Sequence, residues 1–285
     1  MRIFDETVCA LGEGPLWHPQ RKQLFWFDIL GKTLLSRDGG KIRRWAFGEH
    51  VSAAGWLDTE TLLIASETAL FKYSLDTGAR ADVCALEADN PATRSNDGRA
   101  DPQGGFWIGT MGKGGEAKAG AIYRYYRGEL RQLYEQISIP NAMCFAPDGR
   151  TAYFTDTLSN MIWKQRLDEA HGWPVGSREV FTDLTVEGRL PDGAVVDAHG
   201  NLWNAQWGSS RIAVYDPEGR FIFAVTCGAS QVSCPAFGGD DLQMLYATSA
   251  TQNLSPEKLA VEPDAGKTFV TEVEASGQAE HRVIL

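Results

Sequence analysis

NAMCFAPDGRTAYFTDT, residues Asn141–Thr157, reads as one complete β-hairpin. A polar residue opens a short apolar run. Pro147, Asp148 and Gly149 then supply turn chemistry, Pro by fixing φ and Gly by accepting positive φ. The chain returns through Thr-Ala-Tyr-Phe-Thr, a run of the β-branched and aromatic type that strands favour. One hairpin does not fix a fold, but five sister segments do. They are EGPLWHPQRKQLFWFDI (Glu13–Ile29), SAAGWLDTETLLIASET (Ser52–Thr68), NDGRADPQGGFWIGTM (Asn96–Met111), DGAVVDAHGNLWNAQWG (Asp192–Gly208) and CPAFGGDDLQMLYATSA (Cys234–Ala250). A third strand follows most of them, as in ALFKYSLD and RIAVYDPEG, and often a fourth, as in KIRRWAFG and FIFAVTCG.

The repeats start at residues 13, 52, 96, 141, 192 and 234, at spacings of 39, 44, 45, 51 and 42. Six units of about four strands predict an all-β, six-bladed β-propeller, with residues 1–285 as a single domain. A sandwich or a parallel β-helix accounts less well for six equal units, and no Trp-Asp pair ends a blade as in WD40 repeats. The 51-residue spacing predicts an insertion within residues 168–190. Ser255–Val261 (SPEKLAV) predicts one or two helical turns, with Ser255 as N-cap and Pro256 at the first position. Ring closure is expected to pair the N-terminal RIFDETV with a late strand such as KTFVTEV.

Composition narrows the partners. The 285 residues carry a net charge of −10 and no basic stripe, which argues against nucleic acid. No apolar leader and no run of 18 apolar residues occurs, so the reading is a soluble, cytoplasmic protein without membrane contact. The sequence sets no oligomeric state. Five cysteines without a Cys-x-x-Cys pair read as buried free thiols.

In a propeller the first strand of each blade lines the central channel, so equivalent entry positions converge on one mouth. That position holds Glu13, Ser52, Asn96, Asn141, Asp192 and Cys234. Singly, Glu13, Asn141 and Asp192 are ordinary turn residues, each flanked by Gly or Pro. Jointly, two carboxylates and two carboxamides form a hard-oxygen set suited to a divalent cation at the channel mouth. No histidine lies on the ring, which argues against a three-histidine zinc site, although zinc accepts carboxylate oxygen. If Glu13 and Asp192 meet without a metal, one of them has a raised pKa. No Gly-x-Ser-x-Gly elbow, Walker A sequence or strand-borne Gly-x-Gly-x-x-Gly is present. His199 reads as a hairpin residue, Asp156 as a turn or supporting residue, and His50 as a candidate for the pocket wall.

The motifs LGEGPLW (Leu11–Trp17), RSNDGRADPQGGFWIGTM (Arg94–Met111), IPNAMCFAPDGRTAYFTDT (Ile139–Thr157) and PDGAVVDAHGNLWNAQWG (Pro191–Gly208) resemble the SMP-30/gluconolactonase/regucalcin family across essentially the whole chain. The resemblance implies one divalent metal in the channel mouth with Glu13, Asn141 and Asp192 as protein ligands. It implies Arg94 and Asn96 as groups that bind substrate oxygens, and a sugar (aldono-) lactone as substrate, hydrolysed to an aldonic acid. On this reading Ca²⁺ comes first, and Zn²⁺, Mg²⁺, Mn²⁺ or Fe²⁺ also suit. Asp192 is expected to be the general base on a metal-activated water, and Asp97 either supports its loop or touches substrate. Some members carry a second acidic contact just after the Gly-Thr-Met segment. Here Gly114 stands at that position, with Glu116 two residues on and Lys113 beside it. Two other functions compete: an aryl-ester or organophosphate hydrolase on the same fold, and a non-catalytic Ca²⁺-binding regulatory protein.

Overall fold

A computed structural model describes residues 1–285. Its strands form six antiparallel sheets of four strands each. Five sheets use consecutive strands, the innermost being Gly12–His18, Val51–Trp56, Thr93–Ala100, Pro140–Phe145 and Leu190–Val196. Each innermost strand lies against the next, and that of the sixth sheet, Val232–Gly238, lies against the first. The ring is therefore the six-bladed propeller that the repeats predict. The sixth blade takes its outermost strand, Arg2–Asp5, from the other end of the chain, paired Arg2 to Val270 and Ile3 to Phe269. Closure thus joins the two expected segments.

Aromatic residues of the second hairpin strands pack against the innermost strand of the next blade and fill the space between blades. Trp107 of blade three meets Phe145 of blade four edge-on at 5.8 Å, and Trp203 of blade five meets Phe237 of blade six at 5.4 Å. Such pairs contribute about 0.5–1.5 kcal/mol beyond simple burial. The turns that deliver these strands repeat as well. Asp101 accepts from the backbone N–H of Gln103 and Gly105, and Asp197 from those of His199 and Asn201. In both turns a glycine, Gly104 or Gly200, takes φ of +89°, a conformation that disfavours a side chain. The helix Pro256–Val261 forms, with Ser255 accepting from Lys258 N–H at 3.3 Å.

One element has no counterpart in the repeat pattern. After the last strand, Thr268–Glu272, the chain runs across the mouth at which the innermost strands end. Gln278 Nε2 donates to the carbonyls of both Phe145 and Val196, stitching blades four and five. Glu280 forms a part-buried ion pair with Arg99 of blade three. Trp56 Nε1 donates to the Glu280 carbonyl at 2.8 Å, and Ile284 N–H to that of Gly104 at 2.8 Å. The tail closes this end of the channel, so access is from the end where the innermost strands begin.

Candidate active site

Every innermost strand loses register with its neighbour near its entry. The unpaired residues are Gly14–Pro15, Ser52, Asn96–Asp97, Ala142–Met143, Asp192–Gly193 and Ser233–Cys234. A β-bulge bends a strand and re-aims its side chains. Glu13 and Asn141 stand one residue before their bulges, whereas Asn96 and Asp192 occupy the first bulged place. The four therefore come from two successive positions, which corrects the single shared position expected from the alignment. Ser52 and Cys234 leave the ring. Ser52 Oγ donates to Ser95 Oγ at 2.7 Å, and Cys234 covers Gly193, where a Cβ would lie 2.3 Å from the cysteine sulfur. Gly14 and Ala142, which follow Glu13 and Asn141, both adopt left-handed backbone, at φ of +53° and +58°. At Gly14 a Cβ would approach the Ser52 carbonyl oxygen to 2.3 Å, so glycine is required there.

Glu13, Arg94, Asn96, Asn141 and Asp192 all line one cleft of about 410 Å³. Each is 3–5% exposed. A directed hydrogen-bond chain fixes three of them. Arg94 Nη1 donates to Asn96 Oδ1 at 2.8 Å. Asn96 Nδ2 donates to Asn141 Oδ1 and to the Pro140 carbonyl, both at 3.0 Å. Asn141 Nδ2 donates to Thr157 Oγ1 at 2.9 Å, and Thr157 Oγ1 donates to the Pro191 carbonyl at 2.7 Å. Only one orientation of each amide satisfies this chain. It holds Asn141 Oδ1 beside the cleft with a lone pair to spare. Asp192 is fixed from behind, because Asn204 Nδ2 donates to the carbonyls of Asp192 and Gly193.

Burial dominates the charges. It pushes the Glu13 carboxyl up to about 8, reinforced by the negative charge of Asp97 and opposed by the Gly14 N–H and by Arg94. Asp192 is raised as well, by burial first and then by Glu13 and Asp97. Two buried carboxyls side by side cannot both ionise cheaply without a cation. With Asn141 Oδ1 they form a set of hard oxygen donors, which suits a divalent cation. No group of three or more His, Cys, Asp and Glu side chains is placed to hold a metal ion, so a cation here would depend on the carboxamide as well. Arg94 is lowered to about 10 by burial, with Glu13 and Glu67 acting against the shift.

Asp97 does not line the cleft; its Oδ2 accepts from Met143 N–H at 2.8 Å and ties blade three to blade four. Asp156 accepts from the N–H groups of Ser138, Ile139 and Leu158, so it is a turn residue. His50 bonds Glu67 at 2.8 Å rather than facing the cleft. Lys113 does line the cleft, whereas Glu116 turns back to accept from Gly114 N–H at 3.1 Å. All five cysteines are free. Thr157 was missed: its only sequence signal is its place after Asp156, where a hydroxyl looks like part of a turn.

Comparison with known proteins adds kinship to this geometry. Residues 11–251 match the family described as the SMP-30/Gluconolactonase/LRE-like region. An L-arabinolactonase of Azospirillum brasilense is 35% identical over 98% of this chain and 94% of its own. A 6-deoxy-6-sulfogluconolactonase of Pseudomonas putida is 32% identical over 98% of this chain and 97% of its own. Among solved structures, a calcium-binding protein, regucalcin, from Agrobacterium tumefaciens superposes with a TM-score of 0.98 at 40% identity, covering 100% of this chain and 97% of that one. No helix is long and apolar enough to cross a membrane.

Proposed function

Because the chain belongs to the SMP-30/gluconolactonase/LRE-like family, we propose that it is a sugar lactonase that hydrolyses aldonolactones to aldonic acids with the help of one divalent cation. The observation that carries the reading is the pair of buried, adjacent carboxyls, Glu13 and Asp192, facing a carboxamide oxygen and a guanidinium across one cleft. Glu13, Asn141 and Asp192 would hold the cation, and Ca²⁺ is the ion we favour, since all three donors are hard oxygens. When bound, such an ion supplies a Lewis acid that polarises a carbonyl and lowers the pKa of water.

The chain's own residues do the rest. Asp192 accepts the proton of the attacking water, and its burial makes it more basic than an ordinary aspartate, as a general base requires. Arg94 offers donors to the lactone oxygens, and charge-assisted hydrogen bonds of this kind strengthen as negative charge develops on the reacting carbonyl. Asn96 and Asn141 keep their orientations through the chain that ends on Thr157, so little reorganisation is needed when substrate arrives.

A panel of aldonolactones, assayed by acid release with and without chelator, tests this reading. Chelator-sensitive acid release is expected. Turnover of aryl esters or organophosphates alone contradicts it. Tight Ca²⁺ binding with no turnover of any lactone favours instead a calcium-binding role like the one named for the Agrobacterium neighbour.

A further inference from the structure

The cleft is electrically lopsided. Its two carboxylates come from blades one and five, which flank blade six. Its two cations, Arg94 and Lys113, both come from blade three, which stands opposite blade six in a ring of six. Arg94 is 4% exposed and has no carboxylate within ion-pair distance. Its Nη1 is used on the Ser95 carbonyl and Asn96 Oδ1, each at 2.8 Å, while Nε and Nη2 have no protein acceptor. An almost fully buried guanidinium with free donors seeks an anion or strong acceptors in the cleft.

Lys113 is built in rather than loose. Its backbone N–H donates to the Ala92 carbonyl at 2.9 Å. Its ammonium sits 2.7 Å from Glu67 Oε2, an oxygen that His50 also contacts at 2.8 Å. Glu67 does not line the cleft, so it fixes the ammonium from behind and leaves the other ammonium protons for a ligand. Beyond Lys113 the wall is Gly114 and Gly115, and a Cβ at Gly115 would meet nothing within 4 Å, so the wall leaves room for a bulky substituent. Glu116 is the one acid in this loop, and its carboxylate is occupied with the Gly114 N–H.

We propose that the blade-three wall is a subsite for an anionic substituent of the sugar, a carboxylate, phosphate or sulfonate remote from the reacting carbonyl, with Lys113 as the residue that sets this preference. The proposal rests on the lactonase reading for its substrate and on the polarity of the cleft for its specificity. It goes further than kinship does, since the named relatives include lactonases for an uncharged pentose and for a sulfonated hexose.

The test compares D-glucaro-1,4-lactone, which bears a carboxylate, with D-glucono-1,4-lactone, which bears a hydroxymethyl group at the same carbon. A charge-assisted hydrogen bond contributes about a factor of ten or more. The ratio of kcat/KM, charged over neutral, is expected to exceed about ten and to fall with added salt. It should drop about tenfold in Lys113→Met, chiefly through KM, and be retained in Lys113→Arg. Matching thermal unfolding of the variants excludes a folding defect. A ratio at or below one, or a ratio unchanged in Lys113→Met, overturns the proposal. If neither lactone turns over, the aldonolactone panel decides the lactonase reading, and calorimetry on Ca²⁺-loaded protein still reads the subsite. D-glucarate should then bind more tightly than D-gluconate, and lose that advantage in Lys113→Met; equal affinities overturn the proposal.

Discussion

Removing any cation and raising the pH loads the Glu13–Asp192 pair with charge it has no means to neutralise. The ordinary glutamate value of 4.5 rises to about 8 at Glu13, with burial as the largest cause. The fold therefore favours the protonated acid. The stability this confers is fully present below the unfolded value and is lost as pH climbs through about 8. At 1.36 kcal/mol per pKa unit the loss is on the order of 5 kcal/mol, and Asp192, raised in the same direction, adds to it. For a chain of this size that corresponds to a fall in Tm of about 10 °C between roughly pH 5 and pH 9. Glu13→Gln, neutral throughout, serves as the reference that cancels the titration of the rest of the surface. Saturating Ca²⁺ should restore the lost stability, and its effect on Tm should grow with pH because the ion requires ionised carboxylates. Differential scanning calorimetry of both proteins, with chelator and with Ca²⁺, reads all of this. Parallel Tm curves for cation-free wild type and Glu13→Gln across that range would mean that Glu13 is not held protonated by the fold.

Two further outcomes follow from the site's support and from the tail. Thr157→Val removes the hydroxyl that accepts from Asn141 and donates to Pro191, so Ca²⁺ affinity measured by calorimetry should fall about 10- to 100-fold, while Tm changes little. Glu280→Ala leaves Arg99 charged and unpaired in a part-buried place at the closed mouth, a loss of up to about 3–5 kcal/mol. Thermal unfolding should show it as a Tm lower by up to about 6–10 °C; a shift under about 2 °C would mean that the tail's ion pair contributes nothing.

The blades were legible because each repeats one pattern: a small or polar entry, a turn with Asp, Pro or Gly, then an aromatic strand. Glu13, Asn96, Asn141 and Asp192 were legible because a shared place in a repeat outweighs four separate turn readings. Strict equivalence was not, since a bulge adds a residue to a strand without changing the hairpin's sequence signals. That is why Ser52 and Cys234 entered the aligned ring and leave it in three dimensions. The partner of Asp97 was not legible either: beside Asn96 in sequence, it accepts from the Met143 N–H of the next blade. The tail was invisible because SGQAEHRVIL, residues 276–285, has neither period two nor period 3.6, and its contacts are isolated hydrogen bonds and one ion pair spread over five blades or their hairpins. The Lys113–Glu67–His50 cluster joins two blades, a juxtaposition that only the closed ring creates.

The most direct measurement is the turnover of D-glucono-1,5-lactone by Asp192→Asn at saturating Ca²⁺, beside wild type under the same conditions. Asparagine keeps an oxygen for the cation and the shape of the cleft, but it cannot take a proton. The expected result is a folded protein that still binds Ca²⁺ and whose kcat is lower by about 10²- to 10⁴-fold, the span that general-base catalysis contributes. A well-folded Asp192→Asn that retains wild-type kcat would rule out Asp192 as the base.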